Sequence, residues 1–286
     1  MKIGISLPES LLDPDIIQEW AHRVDNGPFS TLSVLDRVVY SNPSPLITLT
    51  LAAAASRRVR LMTEVLLSPL HDATLLAKDA ATLDVFSRGR FTLGLGVGIR
   101  EDDFIATGAT NYKRRGKYLE EQITTMKRIW SGEPWSENIG PVGPVPVQSK
   151  GPQIILGGIS EAALRRVARF ADGTVSAFND PVQIDQHFRT VEQAWQEAGR
   201  AGKPHLISQV DIGLDGPNDD KMVDRILAYY KITPPYDTYK ASTLVRTEQQ
   251  LRDSLKAIEQ VGADEVVLFT WSTDINQIER IADIIG

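Results

Sequence analysis

Along the chain, short β-rich runs alternate with stretches whose apolar residues recur every three or four positions. Lys2–Leu7, halted by Pro8, reads as a first strand. In Pro14–Asp25, Ile16, Ile17, Trp20, Ala21 and Val24 lie at helical spacing, with Asp13 as N-cap and Pro14 at the first helical position. Further strands are expected at Ser30–Asp36, Val59–Leu67, Phe91–Val97, Gln153–Leu156, Gly173–Phe178, His205–Leu214 and Glu265–Trp271. Helices are expected at Pro45–Ser56, Ala73–Phe86, Glu101–Thr107, Lys113–Trp130, Glu161–Ala171, Val182–Ala198, Lys221–Lys231, Glu248–Val261 and Asn276–Ile285. Ser44, Ser160 and Thr247 stand where helix caps belong. Two stretches break the rhythm. Trp135–Gly151, with Pro141, Pro144 and Pro146, reads as a surface loop, and Ile232–Val245, with Pro234 and Pro235, as irregular.

Regular β–α alternation implies parallel strands, because each crossover helix returns the chain to the same end. Eight such units within 286 residues predict an α/β protein, a (β/α)8 TIM barrel, with residues 1–286 as a single domain. An open doubly wound sheet is the alternative.

Composition narrows the chemistry. The chain has no cysteine, which removes disulfides, thiolate nucleophiles, Cys-ligated zinc and iron–sulfur clusters. A net charge of −6 without a basic face argues against a nucleic-acid partner. No stretch approaches the ~20 apolar residues of a membrane span, and the N-terminus has no signal-peptide pattern, so a cytoplasmic protein is expected. The four histidines are His22, His71, His187 and His205. His22 and His187 fall within helices and are expected to be surface or packing residues, which leaves too few ligands for a metal hydrolase.

Several strand ends carry candidate chemistry, as the C-terminal ends of barrel strands commonly do. Asp36 and Arg37 end the second strand, where a local salt bridge between them is the plain alternative. Glu64 and Val65 end the third, with Glu64 either in the barrel mouth or in solvent. His71 follows on the loop after it. Gly94, Gly96 and Gly98 end the fourth strand without the spacing of a dinucleotide fingerprint. They either admit a flat ligand or fit a crowded barrel interior. Gly157, Gly158 and Ser160 open a helix whose free N–H groups suit a phosphate, or form a plain capped turn. The basic run Lys113, Arg114, Arg115 and Lys117 reads as a solvated helix start or as contact for an anionic tail.

Asn42–Gly108 resembles the bacterial luciferase-like, flavin-dependent oxidoreductase family. The resemblance rests on Arg58, Arg60, Leu76, Ala77, Lys78, Thr82, Leu83, Asp84, Gly89, Arg90, Gly94, Gly96, Gly98, Arg100, Glu101 and Phe104. Arg114–Pro134, Ile155–Ser160, Ala168–Gly173 and Ala257–Leu268 extend it over nearly the whole chain. The resemblance implies a barrel that binds FMN, or the deazaflavin coenzyme F420, at its C-terminal mouth. It places the phosphate at Gly157, Gly158 and Ser160, the ring edge at Asp36 and Arg37, and the ring face at Gly96, Gly98 and a non-proline cis peptide between Glu64 and Val65. Arg37 stands where the family usually has histidine, and Glu64 where it commonly has a small residue. Arg37, Glu64 and His71 are the expected catalytic residues.

The resemblance further implies a homodimer packed on the second and third helices. It implies a small organic substrate, with electrons from NAD(P)H or a separate flavin reductase. An FMN monooxygenase or reductase is the first expectation and an F420-dependent reductase or dehydrogenase the second. A non-catalytic flavin-binding protein is the reading from another class.

Overall fold

The computed structural model describes residues 1–214, 220–231 and 235–286. Eight parallel strands form its centre: β1 (Lys2–Ser6), β2 (Thr31–Val34), β3 (Arg60–Thr63), β4 (Phe91–Gly96), β5 (Gln153–Gly157), β6 (Gly173–Ser176), β7 (His205–Ile212) and β8 (Glu265–Thr270). β1 pairs with both β2 and β8, and Leu61 and Met62 of β3 pair with Phe91 and Thr92 of β4, so the sheet closes into a barrel. The doubly wound alternative is excluded by that closure. Around the barrel lie α1 (Pro14–Asn26), α2 (Pro45–Ala55), α3 (Ala73–Phe86), α4 (Glu101–Thr107), α5 (Arg115–Trp130), α6 (Glu161–Phe170), α7 (Pro181–Glu197), α8 (Lys221–Tyr230), α9 (Tyr236–Ser242), α10 (Glu248–Gln260) and α11 (Gln277–Ile285).

Local chemistry sets the helix ends. Asp13 Oδ1 accepts from the Asp15 and Ile16 amides, and Thr247 with Gln250 closes a reciprocal capping box on α10. Ser44 makes no side-chain cap; α2 starts on Pro45, and the Ser44 carbonyl accepts from Thr48. The third strand is shorter than expected. It stops at Thr63, the chain bulges at Glu64–Val65, whose peptide is cis, and Leu66–Leu67 resumes beside β4. Within the expected loop, Pro134–Ser136 and Ile139–Pro141 form a small exposed hairpin. The stretch expected to be irregular contains α9, while Ile232, Thr233 and Pro234 lie outside the described residues.

Inward side chains fall two residues apart on each strand and so form layers. At the N-terminal end the layer is polar: Thr31 donates to Glu265 at 2.6 Å, Arg60 meets Thr92, and Gln153 meets His205. One step up it is apolar, with Met62, Ile155, Val175, Ile207 and Val267 packed together. One further step reaches the mouth, where Glu64, Gly157, Ala177 and Gln209 face an open cavity. A larger apolar layer between strands and helices, including Trp20, Leu61, Leu93, Ile123 and Phe188, holds the two rings together.

Candidate active site

A cavity of about 580 Å3 opens at the C-terminal ends of the strands. Asp36, Arg37, Glu64, Val65, Gly96, Gly98, Gly157, Gly158 and Ser160 all line it, drawn from residues up to 124 positions apart in the chain (36 to 160). His71 does not line it. Its carbonyl accepts from Gln122, and its ring lies near Asp36, where burial holds the imidazole below its ordinary value.

Glu64 forms part of the floor. It is buried, and neither carboxyl oxygen has a hydrogen-bond partner of ordinary geometry, although Ser33 lies close by. Burial pushes its carboxyl up to about 8, and Glu265 and Asp211 act in the same direction. At neutral pH the group is therefore mostly an uncharged acid able to donate a proton. The charged strand end in solvent is excluded by this burial.

The glycines beside it serve the bulge. A Cβ on Gly94 would stand 1.9 Å from the Thr63 carbonyl oxygen, and one on Gly96 would stand 2.6 Å from Val65. Crowding thus demands glycine at both positions, and Val65 in turn reaches the cavity between Gly96 and Gly157. The crowded-interior reading holds at Gly94 and Gly96, while Gly96 and Gly98 also line the cavity.

Asp36 and Arg37 do not pair with each other. Asp36 accepts from the Leu67 amide at 2.9 Å, pinning the chain beyond the bulge, and burial pushes its carboxyl up. Arg37 points the other way. Its guanidinium donates to the carbonyls of Tyr229 and Val39, both at 2.7 Å, and faces Asp103 at 3.9 Å. Asp103 also accepts from the Val38 and Val39 amides. Arg100 donates to the same Tyr229 carbonyl at 2.6 Å.

At the opposite end of the cavity, α6 begins. Ser160 Oγ accepts from the Ala163 amide, so the predicted cap is present. The N–H groups ahead of that bond have no partner within the helix. Gly158 adopts φ +143°, and a Cβ there would stand 2.7 Å from Ala163. Arg115 lines the same cavity, donating to the Gly98 and Tyr112 carbonyls, both at 2.8 Å. Lys113, Arg114 and Lys117 remain exposed. His187 is a packing residue, bonded to Thr174 at 2.8 Å and held neutral by burial.

Sequence reasoning missed Gln209, Tyr229, Tyr230 and Tyr236 as lining residues. Tyr229, Tyr230 and Tyr236 belong to α8 and α9, away from the strand ends that carry the other lining residues named from the sequence. Gln209 had a usable signal, being polar at an inward position of β7 two residues from Ile207.

Residues 1–258 match the family model of luciferase-like monooxygenases. The chain belongs to this family. Its members are flavin- or F420-dependent oxidoreductases and monooxygenases. An uncharacterized protein of Mycobacterium tuberculosis is 33% identical over 171 residues, which is 57% of this chain and 60% of that protein. The chain thus spans about three fifths of that curated relative's length. Among solved structures, an F420-dependent secondary alcohol dehydrogenase in complex with an F420-acetone adduct superposes with a TM-score of 0.79 at 16% identity, covering 99% of this chain and 97% of that one. The oxygenating constituent of the 3,6-diketocamphane monooxygenase of Pseudomonas putida, a type II Baeyer-Villiger monooxygenase in complex with FMN, gives 0.74 at 15% identity, covering 100% and 95%. These two likenesses establish a shared fold. Among the described residues no helix is long and apolar enough to cross a membrane.

Proposed function

We propose that this protein is an FMN-dependent oxidoreductase that acts on a small organic substrate, with NAD(P)H or a separate flavin reductase as electron source. The observation that carries the reading is one continuous cavity. It joins a glycine-lined helix start at one end to a buried, mostly protonated carboxyl on its floor.

The residues fit such a cofactor. The open backbone at Gly157 and Gly158 and the free N–H groups of α6 suit a phosphate, with the helix dipole adding to the attraction. Val65, Gly96 and Gly98 would meet the ring face, and Asp36 its edge. Bound FMN, once reduced by that electron source, would supply the redox chemistry, donating a hydride or activating oxygen. Glu64 holds a proton at its carboxyl and can hand it to an oxygen developing charge nearby. Arg37 secures the cavity wall through Tyr229 and Val39. The barrel below excludes water. A homodimer packed on α2 and α3 belongs to the same reading, supported by exposed Ile47 and Leu75 on those helices.

Spectroscopic titration of the purified protein with FMN, FAD and F420 tests the reading. Preferential FMN binding is the expected result. Preference for F420 would replace it with a hydride-transferring reductase or dehydrogenase, and binding of none would remove the flavoprotein assignment. Bound FMN without turnover across reductants and substrates would leave a binding protein.

A further inference from the structure

One side of the cavity is built from phenol rings. Tyr229 and Tyr230 end α8, and Tyr236 begins α9. The Tyr230 ring lies 4.7 Å from Tyr229 and 5.2 Å from Tyr236, nearly perpendicular to both, with Trp271 5.7 Å behind Tyr229. Edge-to-face packing of this kind fixes ring positions and rewards another ring placed among them.

The wall is held by the barrel. Arg37 and Arg100 both donate to the Tyr229 carbonyl. The Tyr236 hydroxyl donates to the Ala177 carbonyl at 3.2 Å. Four residues beyond Tyr236, Lys240 is fully buried, ion-paired with Asp211 and bonded to the same carbonyl at 2.9 Å.

The arginines of the cavity are meanwhile engaged. Arg37 meets two carbonyls and Asp103, Arg100 meets Tyr229 and Asp102, and Arg115 meets two carbonyls. Beside the tyrosines Arg37 and Arg100 face Asp102 and Asp103, so an anionic substrate there would meet two carboxylates along with the two guanidinium groups and would lose its hydration for little net attraction.

We propose that Tyr229, Tyr230 and Tyr236 form the specificity wall for the organic substrate, and that this substrate is an uncharged molecule carrying a flat aromatic ring. The inference rests on the proposed function only in leaving the rest of the cavity to a flavin cofactor.

Equilibrium dialysis of the protein, with and without FMN, against three probes provides the test: 2-acetylnaphthalene, its anionic analogue 2-naphthoate, and cyclohexyl methyl ketone. The naphthyl ketone binds at least about tenfold tighter than either comparator. Tyr230→Leu, which keeps an apolar side chain, weakens it by about tenfold, Tyr230→Phe retains it, and FMN affinity is the same in both variants. Naphthoate binding as tightly as the ketone, no binding of the ketone, or an unchanged Kd in Tyr230→Leu would each overturn the proposal. FMN failing to bind while ketone binding still depends on Tyr230 would sink the flavin reading and leave the aromatic wall standing. FMN binding with a ketone indifferent to Tyr230 would do the reverse.

Discussion

Glu64 shows how one buried carboxyl couples the site to pH. Its folded value of about 8 lies above the ordinary carboxylate value, so the folded protein binds the proton more tightly than the unfolded chain. Stability is fully present below the unfolded value and falls as pH rises toward about 8, by at most about 1.4 kcal/mol per pH unit. Glu64→Gln removes that slope, so the stability gained by the variant relative to the parent should grow between pH 6 and pH 9 in urea titrations. If Glu64 is the acid, turnover also declines as pH passes about 8, and the Gln variant loses that limb of the profile. At the other end of the cavity, any side chain on Gly158 strains the backbone, so a charge placed there would report on strain as well as on phosphate. Ile159, which is 58% exposed and lines the cavity, is the cleaner probe. Ile159→Asp should weaken FMN about tenfold or more and leave riboflavin, which has no phosphate, unchanged in fluorescence titrations.

At the scale of elements, α9 is the instructive case. Tyr236–Ser242 follows Pro235 and is too short to show a clear apolar period, so the stretch reads as irregular. Its helix is held from outside. Lys240 reaches Asp211 on β7, Asp211 accepts from the Trp271 indole at 2.9 Å, and the Tyr239 hydroxyl accepts from the Asn179 amide. Lys240→Met leaves the Asp211 carboxylate buried without its cation and should cost about 3–5 kcal/mol in chemical denaturation. Adding Asp211→Asn to that variant should restore much of the loss, since both charges are then gone. The bulge after β3 is a second case. A run from Val59 to Leu67 looks like one strand because it is short and mostly apolar, with β-favouring Val59, Thr63 and Val65 spread along it, but only the arrangement of neighbouring strands reveals the break at Glu64–Val65.

At the scale of the molecule, barrel closure puts residues from β2, β3, β4 and β5 around one mouth. The same architecture places α2 and α3 side by side on the outside, with Ile47 74% exposed and Leu75 63% exposed. If the proposed homodimer uses this face, sedimentation gives twice the 31.6 kDa chain mass, and Ile47→Asp shifts it to the single-chain value without changing the far-ultraviolet spectrum. An unchanged mass in the variant would move the interface elsewhere.

The alternation of periods 2 and 3.6, with caps at Asp13, Ser160 and Thr247, determined the barrel, because local propensity and pattern agree along nearly the whole chain. Strand ends were legible for the same reason, and nine of the residues named there meet in one cavity. Tertiary structure alone decided their states. Burial, which depends on distant strands, made Glu64 a mostly neutral acid, and the closed fold set Arg37 against Asp103 and the Tyr229 carbonyl rather than Asp36. It also left His71 outside the cavity and raised a tyrosine wall from two helices that no strand-end rule marks. Local pattern specifies which elements form, whereas charge state and contact depend on what the closed barrel brings within a few ångströms.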